Sequence, residues 1–347
     1  MNKNNVDISF CLPVYNVANY VEECIKSIIM QDDGTYTYEI ICVNDKSTDN
    51  SYEVLTELAN KYSQITVVSN EKNCGVSYTR NRLIDLSQGK YIWFVDPDDM
   101  IYPSVVPKMF SEIESSREDV NIIWGNYIFC EDSATIDEFE SASNYEFKTA
   151  SFSDSDSCPT DAKGVGSFFL WCGMYKRAFL INNNVRLKNG LAIAEDELFY
   201  YDLGTKADTV IKYNGVSYLY RRRPSSIMMT KTVERDKKYF EAMLILYDAY
   251  KERYKLKEYI CVETIKEAIR RTSHLAIFSL CRIPDTAYVK QQLKKLKKDK
   301  IYPNPFRSDI LKWPNCSLAQ RIAQFLLPIE PIFWINHFAI KVIKRNR

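Results

Sequence analysis

Along residues 1–130, apolar and polar positions alternate between two periods. Short apolar runs at Ile8–Pro13, Glu39–Val43, Ile65–Val68 and Lys90–Val95 read as buried strands. Between them, Val17–Met30, Thr48–Tyr62 and Val76–Ser87 carry apolar residues at helical spacing. This order predicts βαβ units: an α/β fold with a Rossmann-like, mainly parallel central sheet and helices on both faces. Ligands on such sheets bind beyond the carboxyl ends of the strands, so the places to search follow Pro13, Val43, Ser69 and Val95.

The pattern then changes. Glu131–Asp161 is rich in Ser, Asp and Glu, with Lys148 as its one basic residue. It reads as a long surface loop or a flap, and a solvated insertion without function fits it equally well. Phe168–Leu203 is compact and aromatic. Asp236–Tyr254 and Glu258–Leu280 have helical spacing and predict a helical hairpin. Pro303, Pro305 and Pro314 interrupt the chain before a last segment, Ser317–Arg347. The expected organisation is a catalytic domain over 1–230, with an acidic insertion at about 131–161, and a helical C-terminal region over 231–347.

Charge sharpens this division. From Ala287 to the end there are thirteen Lys or Arg against three Asp or Glu, so a chain of net charge +1 carries a strongly basic tail. Such a tail points to an anionic partner. In Ser317–Leu327, Leu318, Ile322, Phe325 and Leu326 share one helical face. Ile332–Ile343 adds an aromatic-rich stretch before Lys344-Arg345-Asn346-Arg347. The stretch is too short to span a bilayer and has the makeup of an element lying in the interface. Packing on the helical hairpin or on a second subunit, as in a homodimer, is the alternative. The aromatics accompany an apolar stripe rather than standing out as stacking platforms, which argues against nucleic acid.

The ten cysteines form no CxxC pair, and Cys11 and Cys42 sit inside apolar runs as small hydrophobes. With no signal peptide at the start, this fits a reducing cytoplasm, with contact at the inner leaflet of the membrane if the tail binds lipid. His274 and His337 are the only histidines, which nearly excludes His-based catalysis or a His-rich metal site.

Four stretches carry candidate chemistry. In Phe94-Val95-Asp96-Pro97-Asp98-Asp99, three carboxylates follow a buried strand, where a cation would offset their mutual repulsion. Oxygen-only ligands suit Mg²⁺ or Mn²⁺ shared with substrate phosphates. An acidic helix start before Pro103 is the plainer reading. In Val43-Asn44-Asp45-Lys46-Ser47-Thr48-Asp49, Asp45 can accept the N–H of a pyrimidine base while Thr48 caps the next helix. Asn73-Cys74-Gly75 precedes Arg80-Asn81, and Arg80 can face a phosphate or brace an acidic loop. Ala194-Glu195-Asp196-Glu197 opens a helix-like run, where a carboxylate is a cap or, beside the other motifs, a general base.

Taken together and in this order, these stretches resemble family 2 glycosyltransferases of the GT-A fold, the group that builds bacterial surface polysaccharides. Leu12-Pro13-Val14-Tyr15-Asn16 is similar to the family's first strand and nucleotide loop, and the likeness runs over roughly 7–230. The resemblance implies that Pro13, Tyr15 and Asn16 line the nucleotide pocket, that Asp45 binds the base and that Arg80 lies near the base and the acidic loop. Asp96 would approach the ribose, and Asp98 would hold Mn²⁺ or Mg²⁺ at the diphosphate. Asp196 would be the general base with Glu195 beside it, and Trp171 would form part of the acceptor wall. The segment Tyr220–Ile227 is similar to a late element that closes over the phosphates. The implied partners are a nucleotide-sugar donor and a glycan or lipid-linked acceptor, and the implied reaction is inverting. Two departures stand out: Lys46 replaces the usual Gly, with strain of about 1 kcal/mol if the turn needs positive φ, and Pro97 should stiffen the metal loop. Two other classes remain open. A nucleotidyltransferase would usually carry a Gly-rich phosphate loop, and Cys11–Asn19 has no Gly. A binding module would hold the same ligands without turnover.

Overall fold

The computed structural model describes residues 6–141, 145–150, 169–191, 193–223, 232–259, 262–302, 326 and 330–345, with backbone alone for 149–150, 330 and 339–345. The chain divides into two compact units. The first comprises Met1–Pro159, Ser167–Gly190 and Glu195–Pro224; the second comprises Thr160–Gly166, Leu191–Ala194 and Ser225–Arg347.

The first unit opens with the expected alternation. Strands β1 (Ile8–Val14), β2 (Tyr38–Asn44), β3 (Ile65–Ser69) and β4 (Tyr91–Phe94) are separated by helices α1 (Val21–Ile29), α2 (Ser51–Lys61) and α3 (Val76–Leu86). They lie in the order β3-β2-β1-β4, all parallel. Apolar residues alternate across β1: Phe10 and Leu12 pack with α1 and α2, while Cys11 joins the opposite layer with Leu83 and Ile84 of α3. This period-2 sorting makes β1 a near-continuous apolar run, as a strand buried on both faces requires. Helix α1 begins at Val21 rather than Val17, because the Val17 carbonyl accepts from both Tyr20 and Val21 in a preceding turn.

Beyond β4 the sheet becomes mixed. After β5 (Met100–Ile101) and α4 (Val105–Ser115) come β6 (Ile122–Cys130), β7 (Phe147–Ala150), β8 (Gly173–Lys176), α5 (Arg177–Asn182), α6 (Glu195–Lys206) and β9 (Val210–Arg221). Strand β8 is antiparallel to both β4 and β6, and β9 runs parallel to β6. The carboxyl ends of β6 and β9 therefore finish at the same edge of the sheet as those of β1, β2 and β4. Strands β8 and β6 approach so closely that a Cβ on Gly173 would lie 2.0 Å from the Ile123 carbonyl oxygen.

The acidic stretch differs from the expectation of a free loop over its first part. Ile136 is buried within a short 3₁₀ turn, its N–H donates to Glu23 of α1, and Asp137 pairs with Lys26. Apolar packing with Met100, Cys130 and Leu219, added to the polar ties to α1, holds what composition alone marks as solvated. Residues 142–144 and 151–161, where the rest of that flap was expected, lie outside the described residues.

The second unit is helical: α7 (Val233–Leu256), α8 (Val262–Arg282), α9 (Thr286–Lys298) and α10 (Glu330–Arg345). Helices α7 and α8 form the expected hairpin. Helix α10 packs on α8 through buried Phe333 and His337, whose Nδ1 lies 3.1 Å from the Cys281 carbonyl oxygen. Ile335 and Phe338 on the same helix are 67% and 52% exposed. Leu318, Ile322 and Phe325 lie outside the described residues. Among the described residues, no helix is long and apolar enough to cross a membrane.

Candidate active site

The loops after β1 and β2 are tied to each other. Asn16, at φ 53°, donates from its backbone to Ser47 Oγ, while its side-chain oxygen accepts the Thr48 N–H. Asp49 accepts from Ala18 N and Ser51 N, and its hydrogen bonds outweigh burial and hold it below the usual carboxylate range. Lys46 adopts φ 59°, so the turn does take the left-handed conformation that favours glycine. Pro13 is buried within β1, opposite Val43, and Tyr15 next to this frame is 47% exposed.

Asp45 is almost fully buried at the end of β2. One carboxylate oxygen accepts from Asn70 Nδ2 and Cys74 N, and the other from Gly75 N at 2.8 Å. Its first task in this fold is to fix the loop that starts α3. Gly75, at φ 84°, supplies the turn this loop needs.

The acidic loop after β4 is clasped by β9. The Tyr218 hydroxyl accepts the Asp96 N–H at 3.0 Å and hydrogen-bonds to Asp99. Arg221 donates its backbone N–H to Asp99 Oδ1 and its Nε–H to the Asp98 carbonyl oxygen, both below 3 Å. Its Nη1 reaches the Asp132 and Ala134 carbonyls, joining this loop to the packed start of the acidic stretch. Asp98 forms an ion pair with Arg223. Burial raises the Asp98 and Asp99 carboxyls above the ordinary range, and neighbouring carboxylates add to the rise. The sequence reading did not single out Tyr218 or Arg221 as clasps of this loop. Their period of three on β9 sends them to different faces, which an aromatic-basic run does not disclose.

Arg80 joins this loop to α6. It is 4% exposed and donates to Asp96 Oδ1 at 2.6 Å and to Glu195 Oε1 at 2.7 Å. Burial alone would lower its pKa, but the two carboxylates outweigh that and keep it charged. Glu195 is thereby committed to an ion pair. Asp196, in the first turn of α6, is pushed up to about 7, first by burial and then by the charge of Glu195, while Arg80 pulls it down. A carboxyl near 7 can take and return a proton at neutral pH.

Trp171 lies in a stack rather than on an open wall. Its ring is 4.8 Å from Phe169 and 4.5 Å from Tyr218, on near-parallel planes, and it is 7% exposed. Of the late segment Tyr220–Ile227, residues 224–227 lie outside the described residues.

The donor set suits a hard divalent cation. Every candidate ligand is a carboxylate oxygen, and Arg223 already supplies Asp98 with a positive partner. Among the described residues, no group of three or more His, Cys, Asp or Glu side chains forms a cage. One or two carboxylates completed by substrate phosphates are the usual arrangement for Mg²⁺.

Comparison with known proteins bears on the family and the fold. Residues 9–165 match the model of glycosyl transferase family 2. The chain is 29% identical over 244 residues to the glycosyltransferase GlyG of Streptococcus pneumoniae, covering 65% of this chain and 73% of that one. It is 25% identical to the poly(ribitol-phosphate) beta-glucosyltransferase of Bacillus spizizenii, covering 92% of this chain but 46% of that protein. Residues 1–349 of Staphylococcus aureus TarS, solved with UDP-GlcNAc, superpose with a TM-score of 0.61 at 16% identity, covering 98% of this chain and 92% of that one. The last is a likeness of fold, and the fold is GT-A.

Proposed function

Since the chain belongs to glycosyltransferase family 2, we propose that it moves a sugar from a UDP-sugar to a hydroxyl of a cell-surface glycan, inverting the anomeric carbon, with Mn²⁺ or Mg²⁺ held at Asp98. In this reading a catalytic domain spans about 1–230 and a helical appendage 231–347. The observation that carries the reading is the chain of contacts Asp96–Arg80–Glu195, which ties the donor-side loop to the helix bearing Asp196.

Asp196 removes the proton of the acceptor hydroxyl as its oxygen attacks the anomeric carbon. The bond from that carbon to the diphosphate oxygen breaks, and the electron pair leaves with UDP. A divalent cation, when bound, supplies Lewis-acid stabilisation to the departing diphosphate. Asp98 would hold it, and Arg223 brings a second positive charge suited to phosphate oxygens. Asp96, ion-paired with Arg80, would meet the ribose. Tyr15 is exposed for contact with the base, and Pro13, Asn16 and Asp45 shape the pocket beneath it.

The relative that acts on poly(ribitol phosphate) supports an acceptor in a wall polymer. Exposed Ile335 and Phe338 on α10, in the unit with the basic α9, support contact with an anionic lipid surface where a lipid-linked acceptor would be met.

A thermal-stability screen of nucleotide-sugars in Mn²⁺ tests the donor assignment. We expect one or more UDP-sugars to raise the melting temperature of the wild type and not of Asp98→Ala. If no nucleotide-sugar stabilises the protein, the reading is wrong. Binding without UDP release under any condition would favour a module that holds its ligand without turnover.

A further inference from the structure

The carboxyl ends of β6 and β9 present an aromatic shelf at the catalytic edge of the sheet. Tyr127 and Phe129 alternate onto one face of β6, in register with Tyr218 and Tyr220 of β9. Phe129 is edge-on to Tyr220 at 5.6 Å and to Tyr127 at 5.4 Å, and Tyr127 is edge-on to Phe169 at 5.1 Å. Trp171 is the buried anchor of this group, 7% exposed and stacked with Phe169 and Tyr218. Phe129 is 48% exposed, and the exposed Arg222 lays its guanidinium over the Phe129 ring at 3.9 Å.

An exposed phenylalanine at this place needs a reason, since a half-exposed aromatic ring gains little from the core. The shelf is continuous with the donor side. Tyr218 within it holds the Asp96 amide, and Arg221, next to Tyr220, clasps the Asp98–Asp99 loop. Trp171 is 7% exposed and Phe129 48%, so the outer rings offer the larger open surface. Aromatic rings in edge contact form a rigid surface that suits the C–H face of a pyranose, and an adjacent guanidinium suits a hydroxyl or an anionic substituent of the same chain.

We propose that Phe129, with Tyr127, Tyr220 and Arg222, forms a subsite for a sugar ring of the acceptor glycan one or more units away from the hydroxyl that receives the transferred sugar. This rests on the glycosyltransferase reading and adds the acceptor's class: an oligosaccharide rather than a single sugar or a lipid head alone. Phe129 selects for chain length, and it takes no part in donor binding.

The test is a glycan array of bacterial wall and capsule oligosaccharides, probed with the full chain as wild type, Phe129→Ala, Phe129→Trp and Arg222→Gln, with UDP binding by calorimetry in parallel. Phe129 is exposed enough for its truncation to leave the fold intact. Phe129→Ala should weaken oligosaccharide binding about tenfold or more, Phe129→Trp should retain it, and Arg222→Gln should weaken it for anionic glycans most. UDP affinity should stay within twofold in Phe129→Ala and Phe129→Trp. Glycan binding unaffected by Phe129→Ala overturns the proposal, as does a wild type that binds UDP but no glycan on the array. So does a Phe129→Ala protein that instead loses vesicle binding or self-association, since another occupant then covers the shelf. A wild type that fails to bind UDP counts against the glycosyltransferase reading itself and is recognised separately.

Discussion

At the residue scale, the central relation is between Arg80, Glu195 and Asp196. Asp196 is raised to about 7 by burial and by Glu195, so kcat/KM should fall about tenfold per pH unit below 7. Glu195→Gln keeps a hydrogen-bond acceptor for Arg80 but removes a charge that raises Asp196, so this acid limb should move to lower pH. Arg80→Met removes the charge that lowers Asp196, so the limb should move up. The same change strands Asp96 and Glu195 without their buried partner, and we expect a stability loss of about 3–5 kcal/mol in chemical denaturation. Asp196→Asn should leave donor affinity within a few-fold and lower kcat by about 10²–10⁴. It should also stabilise the fold at pH 8. A carboxyl whose folded pKa is raised binds its proton more tightly when folded, so ionisation weakens the fold as pH climbs from about 4 to 7. Removing that ionisation should recover roughly 1–4 kcal/mol at pH 8 and nothing near pH 3. Equal stability of both proteins at pH 8 would show that Asp196 is not a desolvated carboxylate. Motif and spacing made Asp45, Arg80, Asp96 and Asp196 legible as special positions. They did not disclose that Asp45 spends its oxygens on Asn70, Cys74 and Gly75, because those partners come together only when α3 is laid against β2.

At the scale of elements, the first four strands and three helices were readable because β1, β2 and β4 are near-continuous buried apolar runs, the edge strand β3 keeps a shorter apolar run, and each helix carries one apolar stripe. Strands β5 to β9 were not. Met100–Ile101 is two residues long, and the pairing of β6 with β9 is interrupted by register shifts around Asn126. Composition misled over Glu131–Ser141, where Ile136 anchors an acidic segment that otherwise looks fully solvated. The close approach of β8 and β6 was equally hidden, since glycine has many uses. Gly173→Ala drives a methyl group into the Ile123 carbonyl and should force the strands apart. A loss of at least 1–3 kcal/mol is expected, with Trp171 fluorescence changed because its stack sits on the same strand end. A Gly173→Ala protein of unchanged stability and emission would mean that β8 lies far enough from β6 to take a methyl group at residue 173.

At the scale of the whole molecule, two units share one chain: an α/β sheet with an acidic site and a basic helical region. Their charge contrast was plain from sequence. The packing of α10 was not, because Phe333 and His337 are one part of an apolar stripe whose other part, Ile335 and Phe338, faces solvent. The lipid reading predicts that the full chain floats with anionic vesicles at low salt and less so as salt rises, and that a chain ending at Pro314 does not float. If neither floats, the exposed part of α10 serves another contact. The claim on which all else depends is metal-assisted transfer from a UDP-sugar, and the most direct measurement is UDP release from a panel of UDP-sugars with Mn²⁺ and with EDTA. The account predicts turnover of at least one donor in Mn²⁺, its loss in EDTA and in Asp98→Ala, and its near-loss in Asp196→Asn. UDP release that persists undiminished in EDTA, or no release from any donor while an acceptor extract is present, would contradict it.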